Sequence, residues 1–146
     1  MLDKIIRPIE KEMVTFDNYF NSQFKSDLQL LDSALQYVKE GAGKKMRPML
    51  LLLVAKSLGD INFKTLASAT ALEMLHTASL LHDDVVDESD KRRGRPSVNV
   101  AYNNNVAVLV GDYIFSQALN NTAATRDCRI VEQISILGKA LTRGEL

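Results

Sequence analysis

The sequence predicts an all-α protein, and three observations carry that prediction. Apolar residues recur at spacings of three and four along most of the chain, which is the period of an amphipathic helix. Only seven glycines and three prolines occur among 146 residues, so long helices can run uninterrupted. One β-branched run, Val106–Val110, is ambiguous between strand and helix, but no second run offers itself as a partner strand. We therefore expect helices throughout.

Proline, capping residues and glycine set the boundaries of the first three predicted helices. Pro8 suits the first turn of a helix over about Pro8–Phe24. Ser26 or Asp27 can cap a second helix, which ends at Gly41–Gly43. The segment Leu50–Leu58 is strongly apolar, so we expect a buried helix there.

The remaining helices are predicted from caps and periodicity. Asn62 can cap a long helix over about Phe63–Glu88, a segment without Gly or Pro. Ser97 can cap a short helix, and Val106–Val110 then opens another. The spacing of apolar residues predicts a last helix over Ile130–Leu141.

Composition excludes several classes of protein. Hydrophobic residues make up 46% of the chain, which disfavours disorder, and 18 basic residues balance 18 acidic ones. A net charge of zero and few aromatic residues argue against nucleic-acid binding. The single cysteine, Cys128, excludes an internal disulfide and is expected to be a small buried residue of a cytoplasmic protein.

No segment predicts membrane insertion or export. The longest apolar run, Met49–Ala55, is far shorter than the roughly 20 residues that span a bilayer. The first ten residues contain Asp3 and Glu10, where an export signal would need an uninterrupted apolar stretch. We therefore expect a soluble protein with no membrane span.

An acidic cluster ends the long predicted helix. Asp83, Asp84 and Asp87 form the pattern D-D-x-x-D, and helical geometry places Asp83 and Asp87 on one face. Carboxylates without cysteine favour a hard cation, and Mg²⁺ typically bridges one or two carboxylates to a substrate phosphate. A solvated acidic face is the alternative. His76 lies two turns earlier on nearly the same face, whereas His82 is expected to serve packing or capping.

Two basic clusters flank this helix in the sequence. Lys44, Lys45 and Arg47 precede it, and the segment Lys91–Arg95 follows it. Arginine donates two parallel hydrogen bonds to phosphate oxygens and lysine supplies a mobile point charge, so both clusters can hold diphosphates. Charge compensation at a helix end would explain one cluster but explains two less well.

Five motifs in fixed order resemble the trans-type isoprenyl diphosphate synthases, the polyprenyl synthetase family. The resemblance is closest to the medium- and long-chain, octaprenyl-like bacterial members. The motifs are Gly43-Lys-Lys-Met-Arg-Pro48, Leu72-Glu-Met-Leu-His76, Leu80-Leu-His-Asp-Asp-Val-Val-Asp87, Arg92-Arg-Gly-Arg-Pro-Ser97 and Val110-Gly-Asp112. The resemblance implies a helical bundle around a central pocket, with residues 1–146 forming the N-terminal part of one domain. It also implies Mg²⁺ as cofactor, a homodimer, and condensation of isopentenyl diphosphate with an allylic diphosphate.

The resemblance further implies roles for individual residues. The aspartates matching the family's metal ligands, which are also catalytic, are Asp83, Asp84 and Asp87. The residues matching positions that hold isopentenyl diphosphate are Lys44, Arg47, His76 and Arg93. Arg92 matches the catalytic arginine that contacts the allylic diphosphate. Ala78 and Ser79 match positions that limit product length, and because both are small we expect a medium- or long-chain product.

The chain departs from the family in length. Family members are about twice as long and carry a second aspartate-rich motif, which this sequence lacks. We therefore expect a truncated portion, inactive alone, with the C-terminal half of the domain absent. A non-catalytic diphosphate-binding subunit that pairs with a separate chain is the alternative. A generic helical protein with a solvated acidic face would explain none of the motif order.

Overall fold

The computed structural model describes residues 1–146, and it confirms the predicted all-α class. A single 3-10 turn at Arg7–Ile9 follows the first helix. The helices, in chain order, are α1 (Leu2–Ile6), α2 (Glu10–Ser22), α3 (Gln29–Glu40), α4 (Met46–Leu58), α5 (Phe63–Val86), α6 (Val98–Ala101), α7 (Asn104–Ala124) and α8 (Cys128–Glu145). Two short strands, β1 (Lys91–Arg92) and β2 (Arg95–Pro96), lie between α5 and α6.

Helix α5 is the centre of the fold. It packs along α7 over most of its length and contacts α4, α2, α6 and α8 as well. Small residues on α5, Ala67, Ala71 and Ala78, are buried and let the neighbouring helices approach closely. The largest fully buried side chains of the core come from α2 and its neighbours: Phe16, Phe20, Phe24, Leu35, Leu52, Met74 and Ile114. The functional motifs therefore lie on or beside one well-supported helix.

The N-terminal elements differ from the prediction in their boundaries. Pro8 lies in the 3-10 turn, and α2 begins at Glu10 and not at Pro8. Neither Ser26 nor Asp27 caps α3, because Leu28 occupies the N-cap position without a side-chain hydrogen bond. The Ser26 hydroxyl instead accepts a hydrogen bond from the Leu28 backbone N–H at 3.1 Å. Local side-chain bonding has shifted the helix start by a few residues.

Helix α4 is not the buried helix that its composition predicted. Pro48, Met49 and Leu52 face the core, whereas Leu50 is 64% exposed and Leu58 is 83% exposed. An apolar stripe on the outer face consists of Met46, Leu50, Val54 and Leu58, at spacings of four. The helix is apolar all round, but only one side has neighbours within this chain.

The predicted caps of the later helices have mixed outcomes. Asn62 caps α5 in a capping box with Thr65, as the sequence predicted, and the Asn103 side chain caps α7. Val106–Val110 belongs to α7, so its helical prediction is confirmed. Ser97 precedes α6 but does not cap it, because its hydroxyl donates to the Ser89 carbonyl at 2.7 Å.

A tight hairpin replaces the loop expected over the second basic cluster. Strands β1 and β2 pair antiparallel, with Arg92 opposite Arg95. The two turn residues, Arg93 and Gly94, both have positive φ, at 52° and 77°. This is the backbone of a two-residue type I′ turn, which glycine favours. The sequence missed the hairpin because no alternating apolar pattern accompanies it.

Cys128 is exposed and free, not buried as expected, because it is the first residue of α8 immediately after the capping Asp127.

None of the helices combines the length and the apolar character needed to cross a membrane.

Candidate active site

One pocket gathers the three arginines of the second basic cluster, and we call it the basic pocket. It lies between the end of α3, the loop that follows, the middle of α5 and the hairpin. The lining residues that carry its chemistry are Gly41, Gly43, Glu73, His76, Asp84, Arg92, Arg93 and Arg95. The structure thus brings residues from four separate sequence motifs to one place.

The glycine loop and the hairpin fit together through arginine side chains. Arg93 Nη1 donates a hydrogen bond to the Gly41 carbonyl at 3.0 Å. A Cβ added to Gly43 would lie 2.5 Å from Arg93 Nη2, so only glycine lets the guanidinium lie against this backbone. The Arg95 guanidinium stacks 3.9 Å from the centre of the Tyr37 ring and donates to the Tyr37 carbonyl. These contacts fix the hairpin on the end of α3.

The first basic cluster divides among three environments. Lys45, with a left-handed backbone, forms an ion pair with Asp17 at 3.1 Å and lies 4.7 Å from the centre of the Phe20 ring. Arg47, in the first turn of α4, is exposed and makes no hydrogen bond or ion pair. Lys44 is exposed and does not line the basic pocket. Two of these three cations are therefore free of protein partners.

His76 is held as a neutral group inside the basic pocket. Burial, together with the nearby charges of Arg47, Arg93 and Arg92, lowers the pKa of its imidazole to about 4. At neutral pH the ring is uncharged, so it offers one donor and one acceptor and no positive charge.

Asp84 and Arg92 form a two-pronged ion pair at the edge of the pocket. Arg92 Nε donates to Asp84 Oδ2 at 2.9 Å, and Nη2 donates to Oδ1 at 2.7 Å. The Asp84 side chain is only 5% exposed, and this hydrogen bonding raises the pKa of Arg92. Both carboxylate oxygens of Asp84 are engaged here, so its expected role as a metal ligand stays a prediction.

Asp83 and Asp87 form the open part of the acidic motif. The Asp87 backbone N–H donates to the Asp83 carbonyl at 2.7 Å, which keeps both residues in one helical turn. Burial raises the pKa of Asp83, and the negative charge of Asp87 raises it further. Their two carboxylates therefore lie close enough to repel each other, and neither forms an ion pair.

Glu145, near the end of α8, is a third acidic residue near this motif. The negative charge of Asp83 raises the pKa of Glu145, and burial and Asp87 add smaller effects. No three His, Cys, Asp or Glu side chains lie close enough together to hold a metal ion by themselves. Oxygen-only donors without a closed cage fit Mg²⁺ that also binds water and phosphate, and do not fit a fully enclosed ion.

An open groove runs along the opposite side of α5 from the basic pocket. Ala78 and Ser79 line it together with Phe115 and Leu119 of α7 and the inner face of α8. His82 packs at its edge over Gly111, with Nε2 3.1 Å from the Val108 carbonyl oxygen, in agreement with its predicted packing role. The groove is larger than the basic pocket, and most of its surface is apolar.

Sequence reasoning missed several residues of this region. Glu73 lies in a quoted motif, yet nothing in the spacing alone distinguished it from a solvated acid. The proximity of Glu145 to Asp83 depends on how α8 packs, and no local pattern reports that. The contacts of Gly41 and Gly43 with the hairpin could be suspected only from the two glycines beside a basic run.

Comparison of the fold with solved structures identifies close neighbours among prenyl diphosphate synthases. A decaprenyl diphosphate synthase from Rhodobacter capsulatus superposes with a TM-score of 0.91 at 32% identity, covering 98% of this chain and 44% of that one. A polyprenyl synthase from Caulobacter crescentus, complexed with calcium and isoprenyl diphosphate, gives a TM-score of 0.93 at 29% identity, covering 99% of this chain and 44% of that one. The helical arrangement described above is therefore that of the N-terminal part of these enzymes.

Sequence comparison agrees with the structural comparison. The chain is 37% identical over 145 residues to an octaprenyl diphosphate synthase from Haemophilus influenzae, covering 99% of this chain and 44% of that protein. It is 44% identical over 117 residues to an all-trans-nonaprenyl-diphosphate synthase from Rhodobacter capsulatus, covering 80% of this chain and 36% of that protein. The chain spans less than half the length of these relatives. The family profile of polyprenyl synthetases matches residues 28–146, and the chain belongs to that family.

Proposed function

We propose that this chain supplies the N-terminal half of the active site of a trans-polyprenyl diphosphate synthase. In that reaction, isopentenyl diphosphate condenses with an allylic diphosphate to give a longer trans-prenyl diphosphate. The observation that carries the proposal is the arrangement along α5. A basic pocket lies beside the middle of this helix, and two unpaired carboxylates lie at its end. The pocket suits one diphosphate and the carboxylates suit a second one bound through metal.

Isopentenyl diphosphate is assigned to the basic pocket. Arg93 and His76 line it, and the charge of the nearby Arg47 acts on His76. Lys44 lies on the adjacent loop, where a mobile side chain can reach a phosphate. The neutral His76 ring can donate one hydrogen bond without adding charge. The cations oppose the charge of the bound diphosphate and leave its alkene free for reaction.

The allylic diphosphate is assigned to the acidic end of α5, with Mg²⁺ as the cofactor. Asp83 and Asp87 would hold the metal, with Asp84 as a third candidate ligand. Bound Mg²⁺ neutralises the negative charge that develops on the departing diphosphate. Arg92 bonds Asp84 through Nε and Nη2, which leaves Nη1 free to donate to a diphosphate oxygen. A relative of known structure was obtained with calcium and isoprenyl diphosphate, which supports a divalent-metal site.

The proposed reaction needs positioning and charge stabilisation more than a protein nucleophile. The allylic carbon–oxygen bond breaks, and the diphosphate leaves with the electron pair. The alkene of isopentenyl diphosphate attacks the resulting carbocation, a carbon–carbon bond forms, and a proton leaves the adjacent carbon. Arg92 and the basic pocket hold the two diphosphates in place.

A medium- or long-chain product is supported by the groove beside α5. Ala78 and Ser79 are small and line its wall, so a growing chain can pass them. In a full-length form of the enzyme, Ala78→Phe should shorten the product because the ring fills the groove. Chromatography of the extracted products measures this, with Ala55→Phe on α4, outside the groove, as the control. An unchanged product distribution would remove Ala78 from this role.

The 146-residue chain alone is proposed to bind diphosphate but not to transfer prenyl groups. It supplies one acidic wall, and its relatives are more than twice as long. We also propose a cytoplasmic homodimer, since the exposed apolar stripe of α4 favours association and the single exposed cysteine suits a reducing compartment.

The direct test uses Mg²⁺, radiolabelled isopentenyl diphosphate and an allylic starter. We expect calorimetry to detect binding of isopentenyl diphosphate and no label in an extractable product. Absence of binding would contradict the proposed function, and labelled product would contradict the expected inactivity. Sedimentation measures the oligomeric state.

A further inference from the structure

We propose that Glu73 is a positioning residue that orients the Arg47 guanidinium toward a diphosphate bound in the basic pocket. The inference rests on the proposed function and deepens it, because it gives a role to a second acidic residue, beside Asp84, in a pocket whose other charged lining residues are cations. The ligand contacts proposed above for Lys44, Arg47, His76 and Arg93 remain as they are.

Glu73 is a buried carboxylate that lacks a partner. The residue is only 7% exposed, it lines the basic pocket, and its Oε2 is fully enclosed without a hydrogen bond. No ion pair involves it either. Buried carboxylates in folded proteins are almost always paired, since an unpaired one carries a large desolvation cost. A partner is therefore expected when the pocket is filled.

The positive charges of three residues act on this carboxylate. Burial raises the pKa of Glu73, and the charges of Arg47, Lys45 and Arg93, in that order, lower it. Lys45 is already paired with Asp17, and Arg93 is already bonded to the Gly41 carbonyl. Arg47 alone among the three is exposed and forms no hydrogen bond or ion pair. Its five N–H donors allow one edge to meet Glu73 while the other meets a phosphate.

Removal of the Glu73 charge can either tighten or weaken anion binding, and the direction of that change separates a positioning role from the effect of a simple buried charge. A negative charge near an anion site opposes anion binding, so its removal should tighten binding if Glu73 acts only through its field. If Glu73 orients Arg47, removing its charge should instead weaken binding because the guanidinium loses its anchor.

The experiment is a calorimetric titration of this chain with inorganic pyrophosphate, without divalent metal. Glu73→Gln keeps the shape and removes the charge, and we expect about tenfold weaker binding, the order of effect of one lost charge-assisted hydrogen bond. Glu73→Asp, which restores a carboxylate, should recover part of the affinity. Glu40→Gln is the matched control, because it removes an exposed acid beside the same loop and should not weaken binding.

A double-mutant cycle tests the partner. In the Arg47→Ala background, Glu73→Gln should no longer weaken pyrophosphate binding, because the group that Glu73 orients is gone. Thermal melts check that each variant folds, and Glu73→Gln should be as stable as the parent since it removes an unpaired buried charge.

The possible results are distinguishable. Unchanged or tighter binding by Glu73→Gln would overturn the positioning role and leave the diphosphate site intact. Equal weakening with and without Arg47 would also overturn it. Failure of the parent chain to bind pyrophosphate would contradict both the diphosphate site and this inference.

Discussion

The basic pocket and the acidic end of α5 differ in how many of their charged side chains are bonded to other parts of the chain. In the pocket, Arg93 is bonded to the Gly41 carbonyl and Arg95 is stacked on Tyr37. At the acidic end, Asp83 and Asp87 repel each other and neither has a cationic partner. The pocket is closed by contacts within the chain, whereas the acidic end has one wall.

The difference shows which parts of the site depend only on local connections. The loop after α3 and the hairpin contact each other directly, so their fit needs no ligand. The carboxylates of Asp83 and Asp87 lack an opposing partner group, and they gain one only when metal, diphosphate or another wall arrives. We therefore expect the pocket to tolerate the absence of ligand and the acidic end to depend on it.

The largest effect is expected when a carboxylate is removed from the acidic end of α5. We expect Mg²⁺ to bind tightly only together with a diphosphate, because two carboxylates hold it weakly. Asp83→Ala should abolish the Mg²⁺-dependent gain in pyrophosphate affinity, and in a full-length form it should lower turnover by roughly 100-fold or more. Calorimetry with and without Mg²⁺ measures the first effect, with the exposed Asp60→Ala as control. Wild-type turnover in the Asp83 variant would refute the metal assignment.

The second prediction concerns the link between the two regions, the Asp84–Arg92 pair. Arg92→Ala should destabilise the fold by about 2 kcal/mol, because it leaves a buried carboxylate uncompensated. The partial exposure of Arg92 keeps this loss below that of a fully buried pair. Urea unfolding measures the change. Lys91→Ala, on the neighbouring exposed position of the hairpin, should have little effect. Equal stability of the two variants would show that the pair contributes nothing.

The third prediction concerns the pH dependence of the stability of the fold, which His76 in the basic pocket should cause. His76 has a pKa of about 4 in the folded chain and near 6.5 when unfolded, so the unfolded state binds more protons between these values. Protonation of His76 therefore does not affect the free energy of unfolding above pH 6.5, and it lowers that free energy as the pH falls from 6.5 toward 4. Acidification from pH 7.5 to 5 should cost the parent about 1 kcal/mol more than His76→Gln, after allowance for solvent screening. Parallel pH profiles for the two proteins would contradict this.

The smallest expected effect tests the fit between loop and hairpin. Gly43→Ala places a methyl group against the Arg93 guanidinium and should weaken pyrophosphate binding by about threefold, since a flexible side chain can shift aside. Gly59→Ala is the matched control, because nothing lies within 4 Å of its added Cβ and its backbone is extended. If both variants bind equally well, the close approach at Gly43 has no functional weight.

Much of the fold could be predicted because capping residues and apolar spacing mark a helix within its own segment of the sequence. The cap at Asn62 and the uninterrupted segment after it predicted α5 almost to the residue. The exposure of α4 and of Cys128 could not be read in the same way, because burial depends on which neighbours a helix has. The hairpin escaped prediction since its turn is defined by two positive φ angles and not by apolar spacing.

The sequence alone predicts the helical class, the family motifs and the position of Asp83 and Asp87 on one turn of α5. These follow from periodicity and spacing, which act within a few residues. The packing of the helices, in contrast, places Arg92 on Asp84, buries Glu73 without a partner and brings Glu145 near the acidic motif. The physical reason is that hydrogen bonding, desolvation and charge between separate elements depend on packing in three dimensions, and no local pattern encodes that packing.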